Sequence, residues 1–316
     1  MSVPRDLPTI FMGTPEIAVP ALRLLHARSR IVQVVTQPDR PAGRGNHMQA
    51  PAVKTAALEL GLPVWQPESL KGQAQDDRLA ADLIVVMAYG ALLRQDLLDL
   101  PRFGCVNLHA SILPRWRGAS PLQAALRAGD PETGVTVMRM VRGLDAGPIH
   151  HIERIVIPIG ATLATLHDQM AETAATALGT FLDQWPPREP VPQNESAATH
   201  CHKLTADDGR LDFREKAESL ARWVRAYTPA PGCWTLFPGA LHPIAKAPER
   251  IRILDLAPRS DAPGMAPGAV AAHAGELLIG TGDVPVAVRR LQSAGGRVQD
   301  GREWLNGHQP PTAVVT

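Results

Sequence analysis

Cysteine and aromatic residues are both scarce in this chain of 316 residues. The three cysteines (Cys105, Cys201 and Cys233) include no C-x-x-C pair, so the sequence contains neither a disulfide framework nor a cysteine-based zinc motif. The run His200-Cys201-His202 has no second group of ligands, so we expect no metal site there. Aromatics make up 4% of the chain and hydrophobic residues 45%, so the cores must consist mainly of aliphatic side chains.

A strong net charge and a long apolar segment are missing as well. The formal net charge is +1, which gives no overall attraction to nucleic acid, so any RNA contact must come from local basic patches. No stretch reaches 18 apolar residues, and the first residues lack an apolar run of signal-peptide length. We therefore expect a soluble, cytoplasmic protein with no membrane partner.

Apolar strands alternate with helical segments in the first half of the chain. We predict strands at 9–12, 31–36, 83–87 and 105–109, and helices near 17–27, 52–60, 76–81 and 94–98. This alternation, with nearly continuous runs of Ile and Val, is typical of a Rossmann-like, doubly wound and mostly parallel sheet covered on both faces. The turn after the first strand lacks G-x-G-x-x-G, so a dinucleotide site is not supported.

A proline-rich stretch at 186–192 separates this pattern from a different one. We predict a first domain over 1–188, a linker over 189–207 and a C-terminal domain over 208–316. From about residue 233, five short apolar runs are separated by Gly and Pro, which predicts a small antiparallel barrel.

Candidate catalytic residues lie on the strand at 105–109 and in a later turn. Asn107 and His109 are two residues apart on a strand and should face the same way. An amide N–H can stabilise an oxyanion, His can exchange a proton near neutral pH, and Asp145, in a glycine-flanked turn, can orient that His. No Ser or Cys nucleophile is evident, and Cys105 is interpreted as a packing residue. These residues suggest acyl transfer by direct attack of an external amine; two solvent-facing polar residues and a simple turn are the alternative.

The surrounding motifs resemble those of folate-dependent formyltransferases. The matching segments are Asn107-Leu-His109, Ser111-Ile-Leu-Pro114, Trp116-Arg-Gly118, Gly143-Leu-Asp145-Ala-Gly147, Phe11-Met-Gly-Thr-Pro15 and Gln37-Pro-Asp-Arg-Pro-Ala-Gly-Arg-Gly45. The last two resemble in particular the family members that act on methionyl initiator tRNA. Ile112, where the family more often has Leu, is a small departure of equal size.

The resemblance implies formyl transfer from 10-formyltetrahydrofolate, as co-substrate and without a metal, to the amino group of methionine on initiator tRNA. It implies an OB-like C-terminal β-barrel domain that binds tRNA. It assigns catalysis to Asn107, His109 and Asp145, where Asp145 either orients His109 or relays the proton of the amine through water. Residues expected to bind folate are Ser111, Ile112, Leu113, Pro114, Tyr89 and Gly90, although a helix-entry turn is an alternative role for the last two.

The loop at 37–51 is rich in Pro, Gly and Arg and is too long for a plain connection. The resemblance implies that it grips the acceptor end of the tRNA through Arg40 and Arg44, and Lys203 of the interdomain segment is a further expected tRNA contact. A surface loop without function is the alternative. No obligate protein partner is implied.

Other formyltransferases and a non-catalytic protein are the rival interpretations. A glycinamide ribonucleotide formyltransferase would end near the proline-rich stretch, whereas a sugar-nucleotide amine formyltransferase or a formylfolate hydrolase can have both domains. Only an enzyme acting on tRNA needs the loop at 37–51. An RNA-binding protein on an inactive scaffold is disfavoured because all three catalytic residue types are present.

Overall fold

The computed structural model of the protein describes residues 2–42, 47–238 and 248–314. Two compact units are formed. The first comprises Met1–Pro121, Glu132–Val156 and Ala164–Cys201, and the second comprises Leu122–Pro131, Ile157–Leu163 and His202–Thr316. Residues 189–201 of the predicted linker thus belong to the first unit, and the predicted domain limits stay a prediction.

The first unit is built around a mostly parallel sheet. Its strands, in chain order, are β1 (Pro8–Gly13), β2 (Arg30–Val35), β3 (Arg40–Ala42), β4 (His47–Gln49), β5 (Val64–Trp65), β6 (Leu83–Met87), β7 (Cys105–His109), β8 (Arg117–Gly118), β9 (Glu132–Arg139), β10 (Ile149–Val156) and β11 (His200–Cys201). The main sheet has the order β10-β9-β7-β6-β1-β2-β5. The five neighbouring strands β7, β6, β1, β2 and β5 are parallel, whereas β9 is antiparallel to both of its neighbours, β7 and β10. The predicted Rossmann-like, mostly parallel sheet is confirmed.

The α-helices of the structure include three of the four that are predicted in the first half of the chain. They are α1 (Val19–Arg28), α2 (Ala52–Glu59), α3 (Gln95–Leu98), α4 (Pro121–Ala128), α5 (Leu163–Asp183), α6 (Ala217–Tyr227) and α7 (Gly301–Gly307). The segment predicted as helical at 76–81 forms only a short 3-10 turn at Asp77–Leu79. Asp76 caps the start of this turn, since its carboxylate accepts hydrogen bonds from the backbone N–H of Arg78 at 3.0 Å and from its side chain, but the backbone is extended again at Ala80, with a ψ of 97°, and the turn ends there.

The core of the first unit is mainly aliphatic, as the shortage of aromatics predicts. All five residues of β6 are buried because a central parallel strand has no solvent-facing side. Ile10, Met12 and Ile84 are fully buried in the same cluster. Each such side chain contributes roughly 1.5–3 kcal/mol relative to an exposed position.

Strand register sets the position of β7 and the direction of β9. Asn107 of β7 lies opposite Val86 of β6 on one side and Met138 of β9 on the other. Since β9 runs antiparallel to β7, its last residue, Arg139, lies opposite Val106. The loop that follows β9 therefore leaves the sheet beside the amino end of β7.

The second unit contains an antiparallel sheet. Its strands are β12 (Cys233–Phe237), β13 (Glu249–Pro258), β14 (Val270–His273), β15 (Glu276–Ile279), β16 (Val286–Gln292) and β17 (Val298–Asp300). The order is β12-β13-β16-β15-β14, and β17 pairs with β16. Each of the five predicted apolar runs overlaps one of these strands, as expected for the predicted antiparallel domain.

Two aromatic contacts stabilise the second unit. Phe237 and Trp304 are fully buried and meet edge to face at 5.7 Å. The guanidinium of Arg127, on α4, lies 3.8 Å from the ring centroid of Trp223 on α6. A cation over an indole face is stabilising, so this contact fastens α4 to α6 within the unit. No helix among the described residues is long and apolar enough to cross a membrane.

Candidate active site

Asn107, His109 and Asp145 meet in the first unit. The Asn107 side-chain amide donates to Asp145 Oδ1 at 3.5 Å, and His109 Nδ1 lies 3.5 Å from Asp145 Oδ2. The side chains of His109 and Asp145 are only 6% and 11% exposed, while Asn107 is half-buried. Both β7 side chains face the same carboxylate, as their alternation along the strand predicts. Their catalytic roles remain a prediction.

The loop that carries Asp145 takes a path that the sequence does not reveal. It leaves the sheet beside the amino end of β7, where the Met140 N–H donates to the Cys105 carbonyl at 2.8 Å. It must therefore return along β7 to bring Asp145 to His109. A methyl group at Gly147 would lie 1.7 Å from the Arg139 carbonyl oxygen, so only glycine permits this close return.

A backbone carbonyl orients the His109 ring. The oxygen of Trp116 lies 2.9 Å from His109 Nε2 and can only accept, so Nε2 carries a hydrogen. Nδ1 is then the ring nitrogen that faces Asp145. Trp116 has a φ of +61°, a conformation that a bulky side chain rarely adopts, and this backbone geometry aims its carbonyl at the ring.

Arg117 and Gly118, which follow Trp116 in the chain, support Asp145. The N–H of Gly118 donates to Asp145 Oδ2 at 2.9 Å. Arg117, with a side chain only 4% exposed, donates to Gln193 Oε1 through Nε at 3.0 Å and Nη2 at 2.8 Å. Its guanidinium also forms a forked pair with Glu195 at 2.7 and 2.8 Å. This pairing raises the pKa of Arg117 and lowers the pKa of Glu195.

Comparison with known proteins identifies the family of the chain. Residues 11–182 match the formyl transferase family, and residues 203–309 match the formyl transferase C-terminal domain. The chain belongs to the formyltransferase family. The family predicted from the motifs is thereby confirmed.

Relatives of this formyltransferase include both curated proteins and solved structures. A methionyl-tRNA formyltransferase of Thiobacillus denitrificans is 44% identical over 304 residues, covering 94% of this chain and 96% of the relative. HypX from Aquifex aeolicus, solved with tetrahydrofolic acid, has a TM-score of 0.60 at 16% identity and covers 96% of this chain, which spans 47% of HypX. An N-formyltransferase from Helicobacter canadensis, solved with folinic acid and dTDP-3-aminofucose, has a TM-score of 0.63 at 14% identity, with 90% and 98% coverage. Both structural likenesses concern the fold alone.

Hydrogen bonds to Arg115 and to Thr136 of β9 hold the predicted folate-binding turn of this formyltransferase. Ser111 is fully buried, and its hydroxyl donates to the Arg115 carbonyl at 2.6 Å. Thr136 of β9 donates to the Ser111 carbonyl at 2.6 Å and accepts from the Leu113 N–H at 3.1 Å. Leu113 is 3% exposed, so of this turn only Ile112 and Pro114 present side-chain surface. Folate binding by these four residues stays a prediction.

Tyr89 and Gly90 follow β6 and differ in exposure. Tyr89 is 3% exposed within the core cluster, and burial raises the pKa of its phenol. Gly90 is exposed with a φ of +89°, a conformation suited to glycine. The Thr14 hydroxyl, after β1, donates to the Tyr89 carbonyl at 2.8 Å and accepts from the Gln37 N–H at 3.4 Å. Thr14 therefore links three neighbouring strand ends. The predicted folate contacts of Tyr89 and Gly90 stay untested.

The residues predicted to bind tRNA have different surroundings. Arg40 is exposed on β3, Lys203 is exposed in the second unit, and Arg44 lies outside the described residues. The start of the loop is fixed by Asp39, which accepts from Lys54 Nζ at 2.7 and 2.9 Å and from the Gln66 amide at 2.8 Å. These hydrogen bonds, first that of Gln66 and then that of Lys54, lower the pKa of Asp39.

The surroundings of Cys105 and of the possible metal ligands are as follows. Cys105 is 1% exposed, and burial raises the pKa of its thiol to about 12, which agrees with a packing role. Among the residues that the structure describes, no group of three or more His, Cys, Asp or Glu side chains is arranged to hold a metal ion.

The sequence reasoning missed four contributors to this site. Gln193 lies in the predicted linker, Arg117 belongs to a motif but has no predicted role, and no sequence pattern marks Thr136 or the Trp116 carbonyl. The only available signal was the Trp116-Arg-Gly118 motif itself, because contacts to backbone carbonyls leave no pattern of residue types.

Proposed function

We propose that this formyltransferase transfers the formyl group of 10-formyltetrahydrofolate to the α-amino group of methionine esterified to initiator tRNA. The observation that carries the proposal is the near full-length similarity, at 44% identity, to a curated methionyl-tRNA formyltransferase. The meeting of Asn107, His109 and Asp145 supports it, since a non-catalytic RNA-binding protein would not need this arrangement.

Folate supplies an activated formyl group, and the protein's residues act on the formyl oxygen and on protons. When the amine attacks the formyl carbon, negative charge builds on the formyl oxygen. The half-buried Asn107 amide is the most accessible donor of the three residues and stabilises that charge. Contacts of 3.5 Å, such as those to Asp145, commonly shorten when a substrate binds.

Proton transfer falls to His109 and Asp145. A carbon–nitrogen bond forms to the amine, which loses a proton, and the bond to N10 of folate breaks as N10 gains one. His109 Nδ1 is the nitrogen free to exchange a proton, because Nε2 is committed to the Trp116 carbonyl. The Asp145 carboxylate stabilises the charged ring beside it. The net step consumes no proton.

The finer assignments are part of the same proposal. We assign the folate contacts to the turn at 111–114 and to Tyr89 and Gly90, and the tRNA contacts to Arg40, Arg44, Lys203 and the C-terminal OB-like domain over 208–316. The catalytic domain spans 1–188. The enzyme acts in the cytoplasm, where charged tRNA is used.

Turnover with two acceptors tests the proposal. The enzyme with 10-formyltetrahydrofolate is given either methionyl initiator tRNA or a sugar-nucleotide amine, and formylated product is measured. We expect product only with tRNA, and Asn107→Ala, His109→Ala and Asp145→Ala should each lower kcat by roughly 10²-fold or more while remaining folded. Formylation of the sugar nucleotide alone would overturn the assigned acceptor, and undiminished turnover of all three variants would overturn the site.

A further inference from the structure

The loop between β9 and β10 carries Asp145 but has little sheet structure to hold it. Near its ends, the Met140 N–H donates to Cys105 and the Arg139 N–H donates to the Pro148 carbonyl at 2.9 Å. Between these points Asp145 has a φ of +49°, in the left-handed region that residues other than glycine rarely adopt, although Asp does so more readily than most. A loop in such a conformation must be held by other parts of the structure.

We propose that Gln193, held in turn by Arg117, is a positioning residue that fixes Asp145 for catalysis. The proposal rests on the catalytic role assigned to Asp145 above. Gln193 lies 48 positions after Asp145, yet its side-chain amide donates to the carbonyl of Asp145 at 2.8 Å and to that of Gly147 at 2.7 Å. Both hydrogens of the amide are therefore used on the loop.

Arg117 determines which way the Gln193 amide points. A guanidinium can only donate, so the two contacts from Arg117, at 3.0 and 2.8 Å, must end on Oε1 of Gln193. The NH₂ group is then turned towards the two loop carbonyls. The full hydrogen-bonding capacity of this amide, two donors and two acceptor positions, is satisfied by Arg117, Asp145 and Gly147.

The same two-residue strand holds Asp145 at two points. Gly118 of β8 donates directly to Asp145 Oδ2 at 2.9 Å, while Arg117 of β8 fixes the Asp145 carbonyl through Gln193. The side chain and the main chain of Asp145 are therefore both held by the same short strand. This double attachment sets the 3.5 Å approach of Oδ2 to His109 Nδ1.

Loss of the Gln193 donors should affect the chemical step more than binding. Two loop carbonyls would lose their partners, and the loop would shift its carboxylate relative to His109. A displacement of about 1 Å at a catalytic group costs up to about 100-fold in rate, so we expect kcat to fall by about 10- to 100-fold. The KM values for folate and tRNA should change little, because both hydrogens of the Gln193 amide are donated to loop carbonyls and no substrate contact is assigned to this residue.

Gln193→Glu is the sharpest variant, since it keeps the length of the side chain and an acceptor for Arg117. It replaces the NH₂ donors with a carboxylate oxygen facing two carbonyl oxygens. Protonation of the introduced carboxyl restores one donor, so the kcat deficit should narrow as the pH falls. Gln193→Met, without polar atoms, provides a second test if the charged variant folds poorly, and Gln75→Glu, the same exchange at an exposed position away from this network, is the matched control.

A double-mutant cycle separates positioning from general structural support. If Gln193 acts through Asp145, Gln193→Glu should add almost no further loss of kcat in an Asp145→Ala background, with thermal unfolding confirming that each protein is folded. Wild-type kcat in both Gln193 variants, or an equal and additive loss in the Asp145→Ala background, would overturn the proposal. Wild-type turnover of Asp145→Ala alone would instead remove the role of Asp145, and with it this inference.

Discussion

Replacing Asn107 by Asp tests the electrostatics of the site most directly. The exchange keeps the size of the side chain but puts an oxygen where Asn107 Nδ2 now lies, 3.5 Å from Asp145 Oδ1. Two carboxylates at that separation repel by about 5 kcal/mol at an effective dielectric constant of about 20. The half-buried position of Asn107 lowers that figure, and the pair avoids much of the cost by sharing a proton.

Asn107→Ala provides the reference, because it removes the donor without adding charge. The amide contributes one long hydrogen bond at a half-buried position, so the loss of stability should stay below about 1 kcal/mol. The loss of an oxyanion donor should lower kcat by about 10²- to 10³-fold. Asn107→Ala should therefore lose most of its activity but little of its stability.

The two variants should differ in their dependence on pH. At pH 8 the introduced carboxylate of Asn107→Asp repels both Asp145 and the developing oxyanion, so turnover should be no higher than in Asn107→Ala. As the pH falls towards 6, a shared proton turns the new group into a donor, and the ratio of kcat for Asn107→Asp to that for Asn107→Ala should rise. Single-turnover formylation of methionyl initiator tRNA at saturating folate, from pH 6 to 8.5, measures this ratio.

A matched control shows whether the added negative charge has its effect only at position 107. Asn194→Asp adds the same charge at an exposed turn, where the original oxygen accepts from the Ser196 N–H at 3.2 Å and an Asp can do the same. It should behave as the wild type. Wild-type activity of Asn107→Asp at pH 8, or a ratio that does not change with pH, would refute the assigned role of Asn107.

Three further predictions concern the fold, the support of the site and the tRNA loop. Burial lowers the pKa of His150 from its ordinary value of 6.5. The unfolded state therefore binds more protons than the folded state, and stability is lost as the pH falls below about 6.5. His150→Phe should flatten the dependence of Tm on pH between 7.5 and 5.5, and an unchanged slope would contradict this. Gly118→Ala places a Cβ 2.1 Å from the Cys201 carbonyl oxygen and should lower both Tm and kcat. Gly72→Ala is also at positive φ but has open space around it, so it should lose only about 1–2 kcal/mol of folding stability. Equal effects of the two substitutions would contradict the importance of the contact with Cys201. Arg44→Ala should lower kcat/KM for methionyl-tRNA but not folate affinity, and Arg44→Lys should restore only part, because a planar fork is not replaced by an ammonium; wild-type kinetics of both on tRNA would leave the loop without its assigned role.

The sheet and the residue types of the site follow from the sequence for simple reasons. Buried parallel strands need unbroken apolar runs, and Leu83–Met87 is such a run. Asn107 and His109 share a face because strand side chains alternate, which needs no knowledge of the rest of the chain. The helix prediction fails at 76–81, where Asp76 caps a first turn but the backbone is extended again at Ala80, so that only a 3-10 turn forms.

The path and support of the Asp145 loop could not be predicted. Strand direction in a mixed sheet depends on pairing between distant segments, so the sequence could not show that β9 runs against β7 and that the loop must turn back. Gln193 acts on backbone carbonyls 48 and 46 positions away, and any residue has a carbonyl. Trp116 at a positive φ contradicts its local preference, and such conflicts are expected where function requires a strained conformation.

The site depends on backbone geometry as much as on its three catalytic side chains. The acceptors that orient His109 and Gln193 are carbonyls of Trp116, Asp145 and Gly147, and their directions are set by unusual φ values and by a glycine at a close approach. A substitution that changes only a side chain leaves these acceptors in place, but one that relaxes the backbone moves them all. Because β8 contributes both the Gly118 N–H and the Arg117 guanidinium, disturbance of this short strand should impair catalysis without touching any group that contacts substrate.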